Sequence, residues 1–168
     1  MTGVARGTSA GSGQGKDVHE RALGLLAVRQ RSRRELQRRL ERAGFEANDV
    51  AEELERLEGV GLIDDEAFAR AVAEQGFGSR GQGRRAVASK LATAGISSAT
   101  AAAVLDELGG DEAVRAREVA RAKAARMTGV APEKAFARLY GLLARRGFAP
   151  GVAREAAREA LAVEGFED

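Results

Sequence analysis

Ser32-Arg-Arg-Glu-Leu-Gln-Arg-Arg-Leu-Glu-Arg-Ala-Gly-Phe45 carries the start, the buried face and the stop of one short helix. Ser32 and Glu35 stand at capping-box spacing: the hydroxyl can accept an orphan backbone N–H of the first turn while the acid reaches back. Leu36, Leu40 and Ala43 recur at helical spacing and give one apolar face. Gly44 ends the helix because a left-handed residue costs glycine little, and Phe45 supplies the apolar contact that follows such a stop.

The same ending occurs twice more. Ala43-Gly44-Phe45, Ala94-Gly95-Ile96 and Arg146-Gly147-Phe148 lie 51 and 52 residues apart. Eight residues before each glycine stand Leu36, Val87 and Leu139, and four before it Leu40, Leu91 and Leu143. Ten residues after it come Leu54, Leu105 and Ala157; thirteen after it, Leu57, Leu108 and Ala160. The spacing predicts further helices over about 19–30, 47–58, 64–75, 84–94, 99–108, 111–127, 132–146 and 151–163. Caps or breakers at Ser97, Gly109-Gly110, Pro132 and Pro150 mark several of their ends. No stretch shows period-two alternation with β-branched residues, so no strand is expected. The expected fold is all-α: an elongated tandem array of three-helix repeats, about nine helices. It is divided into a disordered Gly/Ser-rich tail over 1–16, repeat 1 over 17–63, repeat 2 over 64–109 and repeat 3 over 110–168. Each unit is too small to close its own core and must pack against a neighbour.

Composition narrows the chemistry. The 168 residues include no cysteine or tryptophan and one histidine, His19, which leaves no thiolate site and no histidine-based triad. No run approaches the roughly 18 apolar residues of a membrane span. Net charge is only +2, but it is segregated. Residues 29–42 hold seven arginines against Glu35 and Glu41, residues 46–66 hold nine carboxylates against Arg56, and residues 80–90 hold four cations and no acid. Such blocks shape local potentials that draw partners, though a solvated helix face is the plainer reading of most charge runs.

The ordered motifs resemble the RecX family. Ala22-Leu-Gly-Leu-Leu-Ala-Val-Arg29, Arg31-Ser-Arg-Arg-Glu-Leu36 and Leu40-Glu-Arg-Ala-Gly-Phe45 are similar to its first repeat. Leu57-Glu-Gly-Val-Gly-Leu-Ile-Asp-Asp-Glu-Ala-Phe-Ala-Arg70 is similar to its most specific signature. Gly83-Arg-Arg-Ala-Val87, Lys90-Leu91 and Ala94-Gly95-Ile96 resemble the second-repeat helix. The likeness is close over about 20–108 and loose over 111–163. It departs at residues 71–83, which carry Gly76, Gly78, Gly81 and Gly83 where the family commonly has aromatic and basic residues. The resemblance implies a cytoplasmic, non-enzymatic regulator, expected to be monomeric. It would bind the RecA nucleoprotein filament, and single- or double-stranded DNA within it, and curb ATP hydrolysis, strand exchange and the co-protease role in the SOS response. A direct DNA-binding helical protein and a general helical-repeat adaptor are the alternatives.

Three arginine-rich groups are the candidate contact residues. The first is Arg34, Arg38 and Arg42 at i, i+4 and i+8, extended by Arg31 and Arg39. The second is Arg80, Arg84, Arg85 and Lys90. The third is Arg121, Lys123, Arg126, Arg145 and Arg146, which spans two helices. No catalytic, metal or cofactor residue is expected. Asp64 and Asp65 read as N-cap and dipole partner at a helix start and not as a catalytic pair. Gly76-Phe-Gly-Ser-Arg-Gly81 matches G-x-G-x-x-G but follows a helix where a dinucleotide site needs a strand, so it reads as a flexible linker. Phe45, Phe68, Phe136, Tyr140 and Phe148 read as core or cap residues, and His19 as a polar residue at a helix start.

Overall fold

A computed structural model of the chain describes residues 11–163, with side chains from Val18 to Ala162. Those residues form nine helices and no strand: α1 (Gly11–Val28), α2 (Arg33–Arg42), α3 (Ala47–Gly59), α4 (Asp65–Phe77), α5 (Arg84–Ala94), α6 (Ser98–Leu108), α7 (Glu112–Ala124), α8 (Pro132–Arg145) and α9 (Pro150–Val163). They follow one another in tandem groups of three, as the spacing predicted. Of the expected tail, residues 1–10 lie outside the described residues, whereas 11–16 open α1.

Two compact units are present, one ending at Phe68 and one beginning at Ala69. In the first, Val18, Ala22 and Leu25 of α1 meet Leu36 and Leu40 of α2 and Val50, Leu54 and Leu57 of α3, with Ile63 closing the core. Each fully buried leucine contributes roughly 1.5–3 kcal/mol. In the second, α5 buries Val87, Leu91 and Ala94, and α6 buries Val104 and Leu105. The last three helices pack differently. Ala116, Ala120 and Ala124 of α7 and Ala153, Ala156, Ala157 and Ala160 of α9 are all buried, and Leu139, Leu143 and Phe148 fill the remaining space. Short side chains on facing helices let their axes approach closely. Of the twelve apolar repeat positions, only Leu108 is not buried.

The three predicted stops are three copies of one hydrogen-bond pattern. Gly44 N donates to Glu41 O and Phe45 N to Leu40 O; Gly95 N and Ile96 N donate to Ala92 O and Leu91 O; Gly147 N and Phe148 N donate to Ala144 O and Leu143 O. The glycines sit at φ 94°, 79° and 83°. This is the Schellman ending, in which the left-handed residue lets two N–H groups satisfy orphan carbonyls.

The glycine-rich segment differs from its expected role as a flexible linker. Helix α4 runs on to Phe77, and Gly76 is buried inside it: a Cβ there would lie 2.7 Å from Val87 Cγ2. At Gly83 a Cβ would strike the Gly147 carbonyl. Gly83 N donates to Arg146 O at 2.8 Å and Arg85 N to Gly147 O at 3.2 Å. The positive end of α5 thereby meets the carbonyl end of α8, a favourable pairing of helix dipoles. The glycines mark close approach of backbone to backbone, a reading that local sequence could not separate from flexibility.

Asp64 takes the expected N-cap role, and Asp65 does more. Asp64 Oδ1 accepts Ala67 N and so caps α4, whereas Asp65 Oδ1 reaches back to accept Arg33 N at 2.8 Å, at the start of α2. The arrangement recurs: Asp111 Oδ1 accepts Ala113 N and Val114 N at the head of α7, and Glu112 Oε1 accepts Arg84 N at 2.8 Å at the start of α5. The first helix of each following group thus caps the second helix of the group before.

Candidate partner-binding surfaces

The arginines of α2 divide by burial. Arg34, Arg38, Arg39 and Arg42 are exposed. Arg31 does not join them: it is 5% exposed, and its Nε donates to Leu25 O at 3.0 Å at the end of α1. Burial, then the charges of Arg29 and Arg39, hold its pKa below the usual arginine range. Its position just ahead of the Ser32 cap turns the guanidinium onto the preceding helix, so its work is structural. Arg33 likewise spans to Glu58 of α3 at 2.9 Å.

The second group also separates. Arg84, the repeat equivalent of Arg33, donates from Nη1 to Leu105 O at 2.9 Å and pairs with Asp106 at the end of α6. Lys90 Nζ donates to Gln82 Oε1 at 2.7 Å, and burial, then Arg80, lowers its pKa. Arg80 and Arg85 remain exposed.

The structure brings Arg80 to the third group. An open basin of about 550 Å³ in the second unit is lined by Arg80 from the α4–α5 loop, Lys123 and Arg126 from the end of α7, and Arg146 from the end of α8. Glu118 is the one carboxylate in the lining. None of those four cations is ion-paired among the described residues. Val119, Ala122 and Leu142 give the basin an aliphatic floor. Gly81 shapes its edge: φ is 53°, and a Cβ would stand 3.0 Å from Val119 Cγ2 and 3.2 Å from Arg146 Nη1. Arg121 and Arg145 are exposed but are not among the lining residues.

One basin residue was not singled out in the sequence. Arg115 donates from Nε to Gln82 O at 3.1 Å and from Nη1 to Gly109 O at 2.6 Å, and its guanidinium lies 4.5 Å from the Phe77 ring centroid. Burial lowers its pKa, and its charge persists because an arginine stays protonated. The signal available in the sequence was only one of three arginines in an Ala-rich helix. Its two carbonyl acceptors come from separate loops.

His19 Nδ1 lies 2.6 Å from Glu53 Oε1, and Arg56 pairs with the other oxygen, so this histidine partners a buried carboxylate and is more than a polar residue at a helix start. Phe68 and Phe148 are buried, while Phe136 and Tyr140 stack at 6.2 Å between centroids. Among the described residues no cluster of His, Cys, Asp or Glu could hold a metal, and no helix is long and apolar enough to cross a membrane.

Tandem three-helix groups with repeated Schellman stops, carrying exposed cationic surfaces, define a helical-repeat protein whose distinctive features lie on its outside. The RecX first, second and third three-helix domain profiles match in order, over residues 19–57, 64–105 and 111–157. The chain is 35% identical over 166 residues to Regulatory protein RecX of Thermobifida fusca, spanning 96% of this chain and 90% of that protein. It is 37% identical over 144 residues to Regulatory protein RecX of Streptomyces coelicolor, spanning 85% and 77%. The chain belongs to the RecX family. The crystal structure of RecX from Lactobacillus salivarius shares its fold at a TM-score of 0.72 and 18% identity, over 88% of this chain and 96% of that one. A second RecX crystal structure does so at 0.73 and 20%, over 93% and 81%.

Proposed function

We propose that this protein binds the RecA nucleoprotein filament in the bacterial cytoplasm and restrains its ATPase, strand-exchange and co-protease activities, acting by occupancy and not by chemistry of its own. The observation that carries this reading is the near-full-length identity to regulatory RecX proteins. The surfaces support it: exposed arginines in both units offer several modest patches, and patches linked in one chain multiply in a multivalent contact.

The test is RecA-catalysed ATP hydrolysis on single-stranded DNA with this protein added below stoichiometry. Hydrolysis should slow. An unchanged rate across a wide range of added protein would contradict the proposal. The exposed arginines also favour a second reading, direct binding of DNA. It predicts tight binding without recombinase and a log–log salt slope that steepens by about 0.9 per duplex phosphate neutralised.

A further inference from the structure

We propose that the basin formed by the α4–α5 loop, α7 and α8 docks an acidic peptide segment of a partner protein, one that carries an aliphatic side chain among its carboxylates. Charge comes first. Arg80, Lys123, Arg126 and Arg146 face one carboxylate, and none of the four is neutralised by an ion pair within the described residues. Arg115 adds its charge from the wall. A concave wall of low dielectric focuses such a field, and guanidinium groups match carboxylates in a two-pronged geometry.

Shape and floor make the choice between polyanions. About 550 Å³ falls within the roughly 300–1,000 Å³ of ligand sites, which suits a few side chains and not a duplex. Val119, Ala122 and Leu142 offer burial to an aliphatic side chain. A single nucleic-acid strand is instead held by rings on which its bases stack. The one ring in the lining, Phe77, is 8% exposed with Arg115 over its face. The Glu118 carboxylate can accept a peptide N–H. The exposed α2 arginines lie along one helix and outside the basin. The inference goes beyond the recombinase reading and stands or falls without it, because its probe is a peptide.

The experiment is fluorescence anisotropy of the full chain with a labelled dodecapeptide of glutamate and aspartate bearing two leucines. Its Gln/Asn counterpart and a single-stranded oligonucleotide serve as comparison probes. The acidic peptide should bind, the neutral counterpart should not, and added salt should weaken binding. Lys123→Glu with Arg126→Glu should weaken it at least about tenfold, and Arg34→Glu with Arg42→Glu by less than about twofold. All four residues are exposed, so melting temperatures should hold. Should the reversals disturb folding, Lys123→Gln with Arg126→Gln gives the same comparison. Absence of peptide binding, equal loss in the α2 variant, or an oligonucleotide that outcompetes the peptide at the basin would overturn the proposal.

Discussion

Gly44 and Gly147 hold the same place in their repeats, both left-handed, yet they answer to different constraints. No atom lies within 4 Å of a Cβ built at Gly44, whereas one at Gly147 would collide with Ala86. Gly44→Ala should therefore cost only the conformational term, about 1–2 kcal/mol. Gly147→Ala adds a clash between backbones and should cost about 3 kcal/mol or more. Denaturant unfolding that ranks the two equally would contradict the docking of α5 on α8. Residue-scale reading also separates Arg84 from Arg85. Arg84→Glu should destabilise by about 1 kcal/mol or more, chiefly through the Leu105 carbonyl it leaves, since the exposed pair with Asp106 is worth little. Arg85→Glu should leave the melting temperature unchanged. Arg70 grips both oxygens of Glu107 at 2.7 and 2.6 Å, and that hydrogen bonding holds the carboxyl below its usual pKa. A depressed acid contributes stability above its unfolded pKa and loses it as pH falls through the folded value. The melting deficit of Glu107→Gln should thus be present at neutral pH and vanish below the carboxylate range. A deficit that persists in acid would contradict this account. The helix-stop glycines were legible because three copies share one register. The roles of Arg31, Arg84 and Arg115 were not, since each is decided by a backbone carbonyl supplied by another element.

At the scale of elements, caps link one three-helix group to the next. Asp65 serves α2 and Glu112 serves α5, each from the first turn of a later helix. Asp65→Ala and Glu112→Ala should each cost about 1 kcal/mol, the usual worth of an N-terminal acceptor. Glu74→Ala and Glu155→Ala are exposed comparisons for the same unfolding measurement. If both pairs cost the same, the reach-back caps contribute nothing. Helix order, the absence of strands among the described residues and most boundaries followed from periodicity and breakers. Two features did not. Gly76 and Gly83 spell flexibility in a local reading, but packing against Val87 and Gly147 fixes them. Helix α1 begins within the stretch expected to be a tail, where the sequence carries no apolar periodicity to announce a helix.

For the whole molecule, family membership and exposed cationic surfaces converge on regulation through contact. The candidate residues were legible as charge blocks. Their sorting was not, because burial removes Arg31, internal hydrogen bonds engage Arg84 and Lys90, and chain folding joins Arg80, Lys123, Arg126 and Arg146 from three elements that sequence separates. The most direct measurement is co-sedimentation of the full chain with RecA filaments assembled on single-stranded DNA with a non-hydrolysable ATP analogue, beside the same DNA without RecA. The account predicts saturable pelleting with filaments well above that with bare DNA. Pelleting no greater with filaments than with DNA alone would contradict it.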